Sequence, residues 1–184
     1  MDGAILRQLP PGRLRQLYQQ GQAVMTHMHE VRFVAFHQRA SIGTFGLGAC
    51  STMIISSEHG AILAHIAPQP YPTTDTQVAE GYVRRMMGQV RQQYDHWRAQ
   101  GYFPSAGSTI VCALFRNERL GLPSQVQIMR HGMEEMGFND PNMIGYYVPT
   151  DPHGPGQGTV VVLSRGAGRS PMVFVQDQEI GTIH

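Results

Sequence analysis

The stretch from Thr44 to Pro68 constrains this chain more than any other. It reads TFGLGAC, then STMII, then SSEH, then GAILAHIAP. Two apolar, β-branched runs, residues 51–55 and 60–66, are separated by four residues of turn chemistry and closed by Pro68 and Pro70, which predicts an antiparallel hairpin. The segment before it, GTFGLGAC, is too rich in glycine to be a strand and is read as a loop entering the hairpin. A four-residue turn over Ser56-Ser57-Glu58-His59, centred between Ser57 and Glu58, places Cys50 directly opposite His65. Side chains opposed in this way have Cβ atoms about 4.5–5.5 Å apart, within reach of proton transfer from a thiol to an imidazole.

That pairing points to nucleophilic chemistry. A free cysteine has a pKa of about 8.5 and reacts as the thiolate, so a facing His65 would supply the base it lacks. Gly46 and Gly48 permit positive φ and close substrate approach, and the amides of Gly48, Ala49 and Cys50 are candidates for an oxyanion hole. An imidazole acting as base needs a partner that fixes its tautomer, and Thr44 on the same loop is a candidate through its hydroxyl or its carbonyl. The second cysteine, Cys112, lies within the apolar run IVCALF with no histidine at a suggestive spacing, and is read as a core residue.

Composition narrows the alternatives. Lys and Arg total 14 against 13 Asp and Glu, for a net charge of +1, and no basic stripe is present that could follow a phosphate backbone, so nucleic acid is not an expected partner. Every basic residue is Arg, which excludes Schiff-base and other lysine mechanisms. The N-terminus lacks the pattern of a signal peptide and no run approaches the ~20 apolar residues of a membrane span, so a cytoplasmic location is expected, with both cysteines as thiols. With 184 residues, 41% of them hydrophobic, a single globular domain is expected.

Around the hairpin, residues 12–27 space Leu14, Leu17, Tyr18 and Val24 at helical intervals, and residues 31–36 read as a strand. The longest helical pattern covers residues 76–100, with Val78, Tyr82, Met86, Val90, Tyr94 and Trp97 on one stripe and Gly101 as its stop. A buried-type strand at 109–115 follows, then a helix at 124–136 ended by Gly137. Short strands are expected at 144–148, 159–163 and 172–175, the last two paired across the loop 164–170. Helices and hairpins mixed in this order predict an α/β (α+β) layered sandwich with a mixed, largely antiparallel sheet flanked by helices.

The residues from Thr44 to Cys50, followed by a strand, a turn and LAHIAP, resemble the Thr-x-Gly-Leu-Gly-Ser-Cys and Ala-His motifs of the chemotaxis receptor glutamine deamidase (CheD) family. The likeness extends through SQVQIMRHGMEEMGF and GTVVVLSRGAGRSPMVFVQD, so that residues 31–181 can be accommodated. The resemblance implies a CheD-like deamidase domain over residues 31–184, preceded by an N-terminal helical extension over residues 1–30. It implies Cys50 as nucleophile, His65 as its base and Thr44 as the third member, an arrangement shared with toxin deamidases of the cytotoxic necrotizing factor kind. The expected reaction converts glutamine side chains of a protein substrate to glutamate through a thioester, with no cofactor and no metal. This sequence departs from the family in having Ala49 where Ser is usual, in the strand IVCALF, and in the extension itself.

Two other functions fit the same residues: a thiol hydrolase or acyl-transfer enzyme acting on a small-molecule amide, lactam or ester, and a catalytically silent protein-binding module. His27 and His29 in THMHE are placed at a helix end, without the further ligands that a metal site needs. GTFGLG has its glycines in a different order from the dinucleotide fingerprint and precedes a strand. SRGAGRS, with Arg165 and Arg169, suits a hairpin turn at least as well as an anion site. The methionines of residues 84–87 and 129–143 are read as core filler. Substrate access is expected from the loops after Pro68 and at residues 149–158.

Overall fold

In the computed structural model, residues 2–115, 119–151 and 153–182 are described. The elements in chain order are α1 (Gly3–Gln8), α2 (Arg13–Gln19), β1 (Ala23–Met25), β2 (Val31–Ala35), β3 (Ser41–Thr44), β4 (Ser51–Ser56) and β5 (Gly60–Ile66). These are followed by α3 (Thr76–Ala99), β6 (Gly107–Leu114), α4 (Pro123–Glu135), β7 (Asn142–Tyr147), β8 (Val160–Leu163), β9 (Met172–Val175) and β10 (Gln178–Thr182).

The strands divide between two five-stranded sheets, ordered β1-β3-β8-β9-β10 and β2-β5-β4-β6-β7. Each is mixed and largely antiparallel, with parallel pairs among the described residues only at β1/β3 and β6/β7. The architecture is the expected α+β sandwich, built from two sheets. The β6-α4-β7 unit explains one parallel pair, since a helical crossover returns the chain in the same direction.

The alternation of side chains along each strand fixes the layers. In the first sheet, Ile42, Val160, Val162 and Val173 join the same core as Ile54, Leu63 and Val111 of the second sheet. The alternate residues Val161 and Phe174 pack instead with Leu9, Leu14 and Leu17 from the N-terminal helices. On the outer face of the second sheet, Phe33 stacks on Trp97 of α3 with ring centroids 3.9 Å apart. The order is therefore helices, sheet, sheet, helices, with the main core between the sheets and under α3 and α4.

The long helix α3 begins where Asp75 caps it, its Oδ1 accepting from the amides of Gln77 (2.8 Å) and Val78 (3.4 Å). It stops where Gly101 turns to φ +85°. The residues before Val31 are not purely helical. The helix expected over residues 12–27 ends at Gln19, and β1 follows, paired parallel with β3. Ala23, Val24 and Met25 have more to gain as an edge strand burying Ala23 and Met25 than as a further helical turn. His27 and His29 accordingly lie in the loop between β1 and β2, not at a helix end. The strands β3 and β10 and the short helix α1 were not expected. The loop 164–171 is the turn of the β8/β9 hairpin, and there Gly168 donates its amide to the Glu58 carboxylate at 2.6 Å. A carboxylate of the chain itself thus takes the place of the anion considered for SRGAGRS.

Gly60, the first residue of β5, has no room for a side chain. A Cβ there would meet the Val34 carbonyl oxygen at 2.6 Å and the Phe33 ring at 2.9 Å. Gly60→Ala is expected to lower stability by ~1–3 kcal/mol in urea denaturation, because the obstacle is backbone and the strand must move.

Candidate functional site

Thr44 is the last residue of β3, His65 the penultimate residue of β5, and Cys50 the last residue of the loop that leads into β4. Thr44 belongs to one sheet and His65 to the other. Their side chains meet between the sheets, with Oγ1 of Thr44 2.7 Å from Nδ1 of His65. Thr44 is 0%, His65 2% and Cys50 6% exposed. The other ring nitrogen, Nε2 of His65, is buried and has no hydrogen-bond partner among the described residues.

The hairpin register differs from the expected one. The structure pairs Thr52 with His65 and Ser51 with Ile66, so Cys50 does not stand directly opposite His65. The turn centres between Glu58 and His59, one residue later than expected, and is closed by the Ser57 amide donating to the Gly60 carbonyl at 3.0 Å. The resulting displacement of two residues preserves the face. Continued back from Thr52, the alternation puts Cys50 on the His65 side of the sheet, as a diagonal neighbour about 7–8 Å away by backbone spacing.

Burial governs the charges. Desolvation pushes the Cys50 thiol up, partly offset by the Gly48 amide directed toward it. Desolvation, with smaller contributions from the charges of His29 and His27, pulls His65 down to about 4. The resting pair at neutral pH is therefore a thiol and a neutral imidazole, not the thiolate expected from a facing histidine.

The glycine loop is held from several sides. Gly46 takes φ +74°, as anticipated, whereas Gly48 is not among the residues with positive φ. The Gly48 amide donates to the Gly46 carbonyl at 2.9 Å, so it is engaged within the loop. The amides of Ala49 and Cys50 donate to no group among the described residues, which leaves them as the oxyanion candidates. Leu47 donates its amide to the Gly158 carbonyl at 3.0 Å, which brings the loop 149–158 against the glycine loop; Pro152 of that loop lies outside the described residues.

Tyr146 of β7 was not anticipated. Its hydroxyl, in a ring 3% exposed, lies 2.7 Å from the Gly48 carbonyl and 2.6 Å from the Cys50 carbonyl and shares its proton between them. In a trans peptide the carbonyl and the following amide point in opposite directions. By holding the Gly48 carbonyl, Tyr146 turns the Ala49 amide away from itself. Burial raises the Tyr146 hydroxyl well above the ordinary range, as do the charges of Cys50 and Cys112, which keeps it a donor. Cys112 itself is buried in β6, its Sγ 3.6 Å from the Ile144 carbonyl, with burial raising its pKa, in keeping with a core residue.

Among the described residues, no helix is long and apolar enough to cross a membrane, and no group of three or more His, Cys, Asp or Glu is placed to hold a metal ion. Comparison with protein-family models and with curated proteins finds no match, which leaves the geometry around Thr44, Cys50 and His65 as the ground for a functional reading.

Proposed function

We propose that the protein is a cysteine-dependent amidohydrolase that deamidates glutamine side chains of a protein substrate, as its resemblance to the CheD family implies. One observation carries the reading. A buried histidine has Nδ1 engaged by Thr44 and Nε2 without a partner, on the face of the sheet that also carries the cysteine. An unsatisfied buried polar atom costs about 1–3 kcal/mol, and a fold retains that cost most readily where the atom has work to do.

In this reading His65 carries its proton on Nδ1 and donates it to Thr44 Oγ1, leaving the Nε2 lone pair toward Cys50. Because thiol and imidazole are both neutral at rest, Nε2 removes the thiol proton as Sγ attacks the carboxamide carbon. The oxyanion is met by the amides of Ala49 and Cys50. His65, now an imidazolium with a low pKa, gives its proton to the departing amine, which leaves as ammonia. Water, deprotonated by the same nitrogen, then cleaves the thioester to a carboxylate and the free thiol.

Incubation with a panel of glutamine-bearing proteins is expected to release ammonia and to convert particular glutamines to glutamates by peptide mass spectrometry, with Cys50→Ala inert. Small amides and esters run in parallel separate the rivals. Turnover of these alone would replace the protein substrate by a small acyl donor. No turnover of either class, with Cys50 unreactive, would favour a silent binding module.

A further inference from the structure

Six buried side-chain nitrogen and oxygen atoms have no hydrogen-bond partner among the described residues, and four of them, on Thr52, Ser56, Thr109 and His65, share one face of one sheet. Thr52 stands directly opposite His65 in the β4/β5 ladder, and Thr109 stands opposite Ile54 in the β4/β6 ladder. Ile54 and Ser56 follow Thr52 at steps of two, so all four groups lie on the face where Ile54, Leu63 and Val111 meet Ile42 and Val162 of the other sheet. Thr52 and Thr109 are 0% exposed and Ser56 is 2% exposed. A buried hydroxyl without a partner is costly, and Val in its place would keep the strand and avoid the cost. A row of such hydroxyls calls for a small ligand that both donates and accepts.

The spacing selects water. Thr109 is a diagonal neighbour of both Thr52 and Ser56, at a separation of about 7–8 Å. That is too far for a direct bond and suits one bridging water, with an O···O contact of about 2.8 Å on either side. At the Ser56 end of the row, Glu58 and His59 of the β4/β5 turn and Ser164 and Gly166 of the β8/β9 turn line a cavity of about 450 Å³ together with Phe36 and Tyr102. The row therefore runs from the open end of the two sheets toward the imidazole.

We infer that Thr52, Thr109 and Ser56 hold a file of water between the sheets that ends on Nε2 of His65 and supplies the water for hydrolysis of the thioester. The inference rests on the proposed thioester chemistry and names where that chemistry takes its second substrate. Nε2 is buried, so the water that it deprotonates stands inside the protein. Water both donates and accepts, so it can occupy this place whichever ring nitrogen carries the proton. With the acyl group on Sγ, the water oxygen bonds to the carbonyl carbon, the π pair moves to the carbonyl oxygen and one water proton passes to Nε2. Collapse breaks the C–S bond, the sulfur takes that proton back from His65, and the carboxylic acid loses its remaining proton to solvent. Thr52 and Thr109 are positioning residues for this half of the cycle. Attack of Sγ on the carboxamide does not use them.

4-Nitrophenyl acetate separates the two halves. Release of nitrophenolate reports acetylation of Cys50, and intact-protein mass spectrometry reports hydrolysis of the acetyl-enzyme. Thr52→Val and Thr109→Val are each expected to leave acetylation within about twofold and to slow hydrolysis by roughly tenfold to a hundredfold, so that acetyl-enzyme accumulates. Thr52→Ser keeps the hydroxyl and is expected to hydrolyse within about threefold of the wild-type rate. Hydroxylamine, a stronger nucleophile than water, should clear the acetyl group equally from all four proteins. Unchanged hydrolysis in either Val variant overturns the inference, as does an equal loss in Thr52→Ser. A parallel fall in hydrolysis and in cleavage by hydroxylamine overturns it too, by showing that the thioester itself has been displaced. Should Thr52→Val fail to fold, Thr109→Val, which does not face His65, decides alone. If Cys50 of the wild-type protein is not acetylated, the amidohydrolase reading itself fails, whereas acetylation followed by unchanged hydrolysis overturns this inference only.

Discussion

His65→Gln is expected to lower Cys50-dependent turnover by roughly a thousandfold to a millionfold, the range found when the base of a nucleophile–base unit is removed, while leaving the protein folded. Glutamine keeps a polar head that can bond Thr44 Oγ1, and it removes an unpartnered ring nitrogen from the space between the sheets. Cys50→Ala should lose as much, and the double variant no more than either single one, because in the proposed mechanism the two residues act as one unit. The pH dependence sets this arrangement apart from a resting ion pair. With His65 held near 4, the base remains available through mildly acidic solution, so the acid limb of kcat/KM should fall near that value. Alkylation of Cys50, which follows the thiolate, should be slow at neutral pH and climb only in alkaline solution. Retention of most turnover in His65→Gln, or an acid limb well above 6, would remove His65 from the role of base.

The second large effect concerns stability. His65 is depressed in the folded chain from an ordinary 6.5 to about 4, so between those values the unfolded chain binds a proton that the folded chain refuses. Stability then rises with pH across the window and falls as pH is lowered through it, with the full loss reached below about pH 4. The difference corresponds to roughly 3 kcal/mol, at about 1.4 kcal/mol for each pKa unit. Urea denaturation between pH 7 and pH 4 should show this loss in the wild-type protein and a loss smaller by roughly that amount in His65→Gln. Parallel curves for the two would mean that His65 titrates normally and is not held neutral by burial.

How legible these features were in the sequence depends on the distance over which each is determined. The helix at 76–100 and the β8/β9 hairpin declare themselves locally, through a 3.6-residue stripe in one case and two apolar runs about a glycine-rich turn in the other, and their boundaries fall within a residue or two of expectation. The β4/β5 hairpin was visible, but its register was not. Gly60 is both the last turn residue and the first residue of β5, and assigning it wholly to the strand moved the turn by one residue and the pairing by two. Because side chains alternate with a period of two, that error left Cys50 and His65 on a common face. Thr44 was singled out from the loop before Cys50 and found beside His65, yet the strand that carries it was missed. SIGT has little strand character of its own and is held by β1 and by β8, more than a hundred residues away. Tyr146 left no signal at all, since its partners are two backbone carbonyls in a distant loop.

The bond between Thr44 and His65 also bears on when in folding the chain would acquire the proposed chemistry. The hairpin that carries Cys50 and His65 is local and can form early, but the orienting hydroxyl arrives only when β3 has docked on β8, a strand from the last quarter of the chain. A refolding molecule therefore passes through a stage with the β4/β5 hairpin formed and the imidazole free to rotate. Catalytic competence should lag behind hairpin formation and coincide with closure of the two sheets, so regained turnover becomes a clock for the last long-range step.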